Sequence, residues 1–294
     1  MTAADEYVTI TDGVRLFVRT LGRGATTLIV PNGLYFIDDF SFLPADRTIV
    51  VYDVRNRGRS DTVTDRSKLA RGILQDVDDL DAVRRHAGLD RFELMGHSYM
   101  GLVVALQAMR YPGHVTRVVQ IGPSPPRAAT QYPPALAFND GTLAEVFSAF
   151  GQLQKEGIAD PEERCRRFWS VLKCLYVTDR KDADRVAWER CELPNERNFM
   201  QYFQGEIVPS MQRLDLSPAE FAKAAMPVLT IHGRKDRSAP YGGGRDWAAQ
   251  LPNARLLTID NGGHAPWIEA PEVVFGAVKT FLDGTWPDGA ETVE

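Results

Sequence analysis

The chain has 294 residues, 44% of them apolar and 25% charged, enough to bury a substantial core as one large domain or two small ones. Its formal net charge of −5 argues against nucleic acid as a partner, because phosphate binding calls for a concentrated basic surface. No stretch approaches the ~18 apolar residues of a membrane-spanning helix, and the acidic start "MTAADEYVTITDG" lacks a basic-then-apolar secretory pattern, so a cytoplasmic location is expected.

Taken in chain order, "YVTITDGVRLFVRT" alternates around Asp12-Gly13 and predicts two antiparallel strands joined by a two-residue turn. Short apolar runs follow: "TTLIVP", "TIVVYDV", "FELMG", "TRVVQIG", "PVLTIHG" and "RLLTID". Unbroken runs of this kind suit a sheet covered on both faces. Between them, "LARGILQDVDDLDAVRRHAGL" carries Ile73, Val77, Leu80 and Val83 at helical spacing, and "GLVVALQAMRYP" and "PEVVFGAVKTFL" read the same way. A hairpin followed by strand–helix alternation predicts a mostly parallel, doubly wound α/β sheet. The alternation breaks at residues 123–225, where helical patterns dominate. We read residues 1–122 and 226–294 as the core domain and 123–225 as a helical cap, since long insertions in such sheets tend to lie where ligands bind. Cys165, Cys174 and Cys191 are odd in number and show no C-x-x-C spacing, which points to reduced thiols rather than a disulfide or a zinc site.

Ser98 lies in "GHSYM" (96–100), where a strand runs into a helix. That is the setting of a nucleophile elbow, in which a sharp turn presents the hydroxyl at the carboxyl edge of the sheet. The motif G-x-S-x-G is incomplete: Met100 stands where the second glycine belongs, and Gly101 follows one position late. Five histidines could serve as its base. His86 and His114 sit in charged or turn settings, His97 adjoins the serine but points elsewhere, and His232 ends a strand, where a structural hydrogen bond is expected. His264 sits on the glycine-rich loop "DNGGHAPWIEAPE" after the last strand and can swing over the sheet edge. Asp236, in "HGRKD", is placed to orient it, in preference to Asp260. Two backbone donors are needed for an oxyanion. These are the amides of Tyr99 and, from "VPNGLYFIDDF", of Leu34, with Tyr35 as the alternative.

"PNGLY", "DVRNRGRSD", "GHSYMG" and the pair "HGRKD" and "GGHAPWIEAPE" together resemble the α/β-hydrolase superfamily in its capped branch, over roughly residues 7–282. Three positions depart from the family pattern: Asn32 for the usual oxyanion-loop histidine, Asn56 for a glycine, and Met100 for the elbow glycine. The resemblance implies a Ser98–His264–Asp236 triad forming an acyl-enzyme, with no metal and no organic cofactor. Serine at the elbow sets it apart from branches that use a carboxylate nucleophile. The favoured substrate is a small-molecule carboxylic ester. A prolyl-aminopeptidase-like amide hydrolase, with Glu196 or Glu206 meeting an amine, a carbon–carbon bond hydrolase or lactonase, and a ligand receptor that kept the triad are the alternatives. Tyr35, Trp267 and Met100 are the candidate substrate contacts. The segment 123–225 also holds Phe147, Phe150, Phe168, Trp169, Tyr176, Trp188, Phe199, Tyr202 and Phe203, a set read mainly as packing between helices.

Overall fold

The computed structural model describes residues 3–193, 195–197 and 199–294. Nine strands form one sheet in the order β1-β2-β4-β3-β5-β6-β7-β8-β9. β1 (Ala3–Thr9) and β2 (Arg15–Leu21) make the antiparallel hairpin, and β2 pairs antiparallel with β4 (Arg47–Tyr52). From β4 through β3 (Thr26–Pro31), β5 (Phe92–His97), β6 (Val115–Ile121) and β7 (Val228–Gly233) to β8 (Ala254–Ile259) the pairing is parallel. β9 (Ala290–Glu291) closes the far edge antiparallel and was too short to be read from the sequence.

The hairpin differs from the expected one by a residue. Ile10 N donates to Val14 O at 2.9 Å and Gly13 N to Ile10 O at 2.9 Å, so three residues, not two, make the loop. Gly13 has φ +83°, the left-handed position that ends a type I turn in a three-residue hairpin. Asp-Gly was the correct signal, but it does not by itself say how many residues the turn holds.

The central strands are apolar on both sides because the sheet is covered on both sides. Ile29, Val50, Tyr52, Leu94 and Val118 join one buried cluster. Their strand neighbours Leu28, Val30, Ile49, Val51 and Val119 join the other. Each alternation sends successive side chains to opposite faces, and each fully buried aliphatic contributes roughly 1.5–3 kcal/mol. On the first face pack α1 (Ile73–His86) and α2 (Tyr99–Arg110). The segment between β6 and β7 carries α3 (Thr142–Glu156), α4 (Pro161–Leu172), α5 (Phe199–Tyr202), α6 (Val208–Gln212) and α7 (Pro218–Phe221). α4 starts at Asp160, whose carboxylate accepts from the amides of Glu162 and Glu163, with Pro161 in the first turn. α8 (Tyr241–Gln250) joins α1 and α2 on their face, whereas α9 (Pro266–Glu269) and α10 (Pro271–Leu282) pack on the other. Among the described residues no helix is long and apolar enough to cross a membrane.

The cysteine expectation is corrected. Cys165 on α4 and Cys191 form a disulfide with Cα atoms 5.7 Å apart, and Cys174 alone is free. The two are 26 residues apart in sequence. The fold of the insertion brings them together, and a search for close cysteine pairs cannot see that.

Candidate active site

β5 delivers Ser98 at the middle of the sheet. Ser98 has φ +60° and ψ −132°, a strained conformation for a residue with a side chain. Its amide is tied to Ile121 O at 3.0 Å, across to β6. The turn is tight: a Cβ on Gly96 would lie 2.3 Å from Met100 O, and one on Gly101 2.8 Å from the Pro123 ring. What must stay small here is the inner side of the turn. Met100 points the other way and is buried in the core with 1% exposure, so a large side chain is tolerated at the fifth motif position. Asn56, another departure from the family pattern, has φ +59° and accepts from Val63 N. Asn32 has φ +53°. Asparagine is the non-glycine residue best suited to that region.

Asp236 and His264 come from the loops after β7 and β8. The two loops touch backbone to backbone at Gly233, where a Cβ would lie 2.2 Å from Gly263 O. Asp236 Oδ1 accepts from the amides of Ser238 (2.7 Å) and Ala239 (2.8 Å). Its Oδ2 accepts from His264 Nδ1 at 2.8 Å and faces His232 Nε2 at 3.2 Å. Burial alone would push this carboxyl up, but the imidazoles of His264 and His232 outweigh it and hold it well below the usual carboxylate range. A carboxylate only accepts, so Nδ1 of His264 carries the hydrogen. Nε2 is then the basic nitrogen; it is buried and makes no hydrogen bond to any described residue, Ser98 included. Asp260 instead pairs with Arg234 on the surface.

His97 has a larger part than its sequence position suggested. Its Nε2 meets the carbonyl of His264 at 3.0 Å and its Nδ1 the hydroxyl of Tyr35 at 2.9 Å. Burial, with the neighbouring His264 imidazole, pushes it well below its ordinary value, so it is neutral. The carbonyl can only accept; Nε2 therefore donates, and Tyr35, whose phenol is kept protonated by burial, donates to Nδ1. His97 thus fastens the serine strand to the histidine loop and to Tyr35. His232 was expected to make a structural bond and does, to Ala239 O at 3.1 Å, but it also faces the carboxylate of Asp236. The role of His97 has no sequence signal, because its partners lie 62 and 167 residues away, whereas those of His232 lie within the loop that follows its own strand.

Ser98 opens into a cavity of about 310 Å³ that Tyr99, Tyr35 and Asn32 also line. Phe168, Trp169, Leu172, Tyr176, Met200 and Phe203 of the insertion form its apolar wall. Trp267 and Met100, expected to touch substrate, are not among the lining residues. Trp267 is buried against Trp188, rings 5.5 Å apart, and donates to Asp39. Leu34 borders a smaller adjoining cavity of about 70 Å³ that shares Asn32, Tyr35, Arg57 and Glu196 with the first. The other aromatic residues of the insertion divide. Trp188 and Tyr202 are buried in packing, Phe150 stacks on Phe168, Phe147 is exposed, and the Phe199 side chain lies outside the described residues. Glu196 Oε1 accepts from Arg57 (3.0 Å) and from the Gly58 amide (3.1 Å). Glu206 pairs with Arg66 and does not line the cavity.

A family model described as alpha/beta hydrolase fold matches residues 32–271. The chain is 28% identical over 272 residues, 88% of its own length and 94% of the other, to "Putative carbamate hydrolase RutD" of Pseudomonas syringae pv. syringae (strain B728a). It is 31% identical over 188 residues, 62% of its length and 68% of the other, to the pimeloyl-acyl-carrier-protein methyl ester esterase of Nitrosomonas europaea. Among solved structures, the serine hydrolase CCSP0084 from Cycloclasticus zankles superposes with a TM-score of 0.71 over 96% of this chain and 99% of that one, at 18% identity, a likeness of fold.

Proposed function

The chain belongs to the alpha/beta hydrolase fold family, and on that premise we propose that it is a serine hydrolase that cleaves a carboxylic ester through an acyl-enzyme. The observation that carries the reading is the Asp236–His264 pair at 2.8 Å, with the unbonded Nε2 of His264 and the strained Ser98 beside a cavity. Ser98 gives its proton to His264 Nε2 as its Oγ attacks the ester carbonyl carbon. The oxyanion is held by the amides of Tyr99, at the start of α2, and Leu34. His264 then passes the proton to the departing alkoxide. A water deprotonated by the same nitrogen attacks the acyl carbon, and Ser98 takes the proton back. The cycle needs no cofactor. Residues 123–225 act as a cap, a role supported by their share of the cavity wall.

Amine recognition by Glu196 or Glu206 finds no support. Glu196 is already occupied by Arg57 and the Gly58 amide, and Glu206 lies outside the cavity. Esterases and a carbamate hydrolase among the relatives agree with an ester-like carbonyl. The test is release of p-nitrophenol from p-nitrophenyl butyrate, with proline p-nitroanilide alongside. The ester is expected to turn over and the anilide not. Ser98→Ala and His264→Ala should each lower kcat by on the order of 10⁴-fold or more with the fold intact by circular dichroism. Undiminished turnover in both variants would sink the triad, and hydrolysis of the anilide would favour an amidase.

A further inference from the structure

The cavity is chemically graded, and α4 sets the direction of the gradient. Residues 164, 165, 168, 169 and 172 of this helix line it, one helical face. The C-terminal end of α4 leads to Tyr176, whose ring lies 5.2 Å from that of His264 and whose carbonyl accepts from Ala265 N. That is the end nearest the reacting groups. Leu172, Trp169 and Phe168 come next, going back along the helix, and Arg164 comes last. From residue 172 to 164 an α-helix rises about 12 Å. The cavity therefore runs from Ser98, past an apolar wall, to a guanidinium.

A second guanidinium is held at the same outer end. Arg197 lines the cavity, donates from Nε to Cys191 O at 3.0 Å, and pairs with Glu162 on the first turn of α4 at 3.2 Å. The Cys165–Cys191 disulfide joins the residue next to Arg164 to the segment that carries Arg197. The charges on the lining are unbalanced. Arg57 and Glu196 offset each other, leaving Arg164 and Arg197 with no further carboxylate on the wall. Glu162 is shared between Arg197 and Arg166. Arg164 is exposed, donates to Ile158 O at 3.3 Å, and among the described residues has no carboxylate within ion-pair distance.

Resting on the hydrolase reading above, we propose that the substrate is an ester whose acyl chain is apolar and ends in a carboxylate, which Arg164 and Arg197 receive at the outer end of the cavity. The chain lies against Phe168, Trp169 and Leu172, and the ester carbonyl reaches Ser98. An uncharged acyl chain of the same length would fill the apolar wall and leave both guanidiniums without their ligand.

The experiment compares kcat/KM for mono-p-nitrophenyl suberate with that for p-nitrophenyl octanoate, which has the same number of acyl carbons. Calorimetry of suberate binding to the Ser98→Ala protein runs beside it. We expect a preference for the charged ester of about tenfold at low ionic strength, since the arginines are partly exposed and screened by salt. In the Arg164→Gln/Arg197→Gln variant the ratio should fall toward one, through KM, and suberate binding should weaken in parallel. A wild-type preference for octanoate, a ratio the double variant leaves unchanged, or no suberate binding would overturn the subsite. Arginine-dependent binding of suberate to a protein that cleaves neither ester would keep the subsite and overturn the hydrolase reading instead.

Discussion

Ser98 is held at φ +60° by its surroundings rather than by its own preference. Its amide is bonded across to β6, and Gly96 leaves room for the Met100 carbonyl. The missing motif glycine is accounted for at this scale. The Met100 side chain faces the core, away from the inside of the turn, and is buried to 1% exposure. Met100→Gly should therefore lower stability by about 4 kcal/mol, from the cavity it leaves and the glycine it puts in a helix, while turnover persists below the reduced melting temperature. Thermal unfolding and ester kinetics on the same sample check this; a well-folded but inactive variant would mean that Met100 helps shape the site. His97, by contrast, could not be weighed from its position beside the serine. Its two bonds go to Tyr35 and to the backbone of His264, one 62 and the other 167 residues away.

At the scale of elements, α4 combines an amphipathic face with a covalent anchor. Cysteine spacing did not reveal the anchor, because the bridging partner sits in an irregular segment 26 residues on. Closing a loop of that length contributes about 3.5 kcal/mol in the chain-entropy description. Thiol titration of the unfolded protein should find one free thiol before reduction and three after. Reduction, or Cys191→Ser, should lower the melting temperature by several degrees, about 2 °C per kcal/mol for a chain of this size. Three thiols without reductant would show that the bridge does not form. The strands tell the opposite story. Each of the six apolar runs named from the sequence is a strand, since a strand buried on both faces needs little beyond its own composition to be recognised. β9, two residues at an edge, has no such composition.

At the scale of the whole molecule, the parallel strands β3, β5, β7 and β8 end at one edge of the sheet, and the loops that follow them carry Asn32 and Leu34, Ser98, Asp236 and His264. The insertion meets that edge through a buried ion pair, Arg57 with Glu196, whose side chains are 8% and 5% exposed. Removing one partner of such a pair typically costs about 3–5 kcal/mol. Glu196→Gln should weaken the protein toward denaturant by an amount in that range and raise KM, since the same residues line the cavity; unchanged stability and KM would rule out this pair as a fastening of the insertion. The sequence by itself determined the sheet class, the order in which Ser98, Asp236 and His264 occur, and the strand ends they follow. Strand composition and loop glycines are local, and a chain order can be read directly. Only the tertiary structure decided which way Met100 and Trp267 face, that Glu196 is taken up by Arg57, that Cys165 meets Cys191, and that two arginines stand at the far end of the cavity. Each of these is a contact between segments distant in the chain, so its partner is set by packing and leaves no mark on the residues around it.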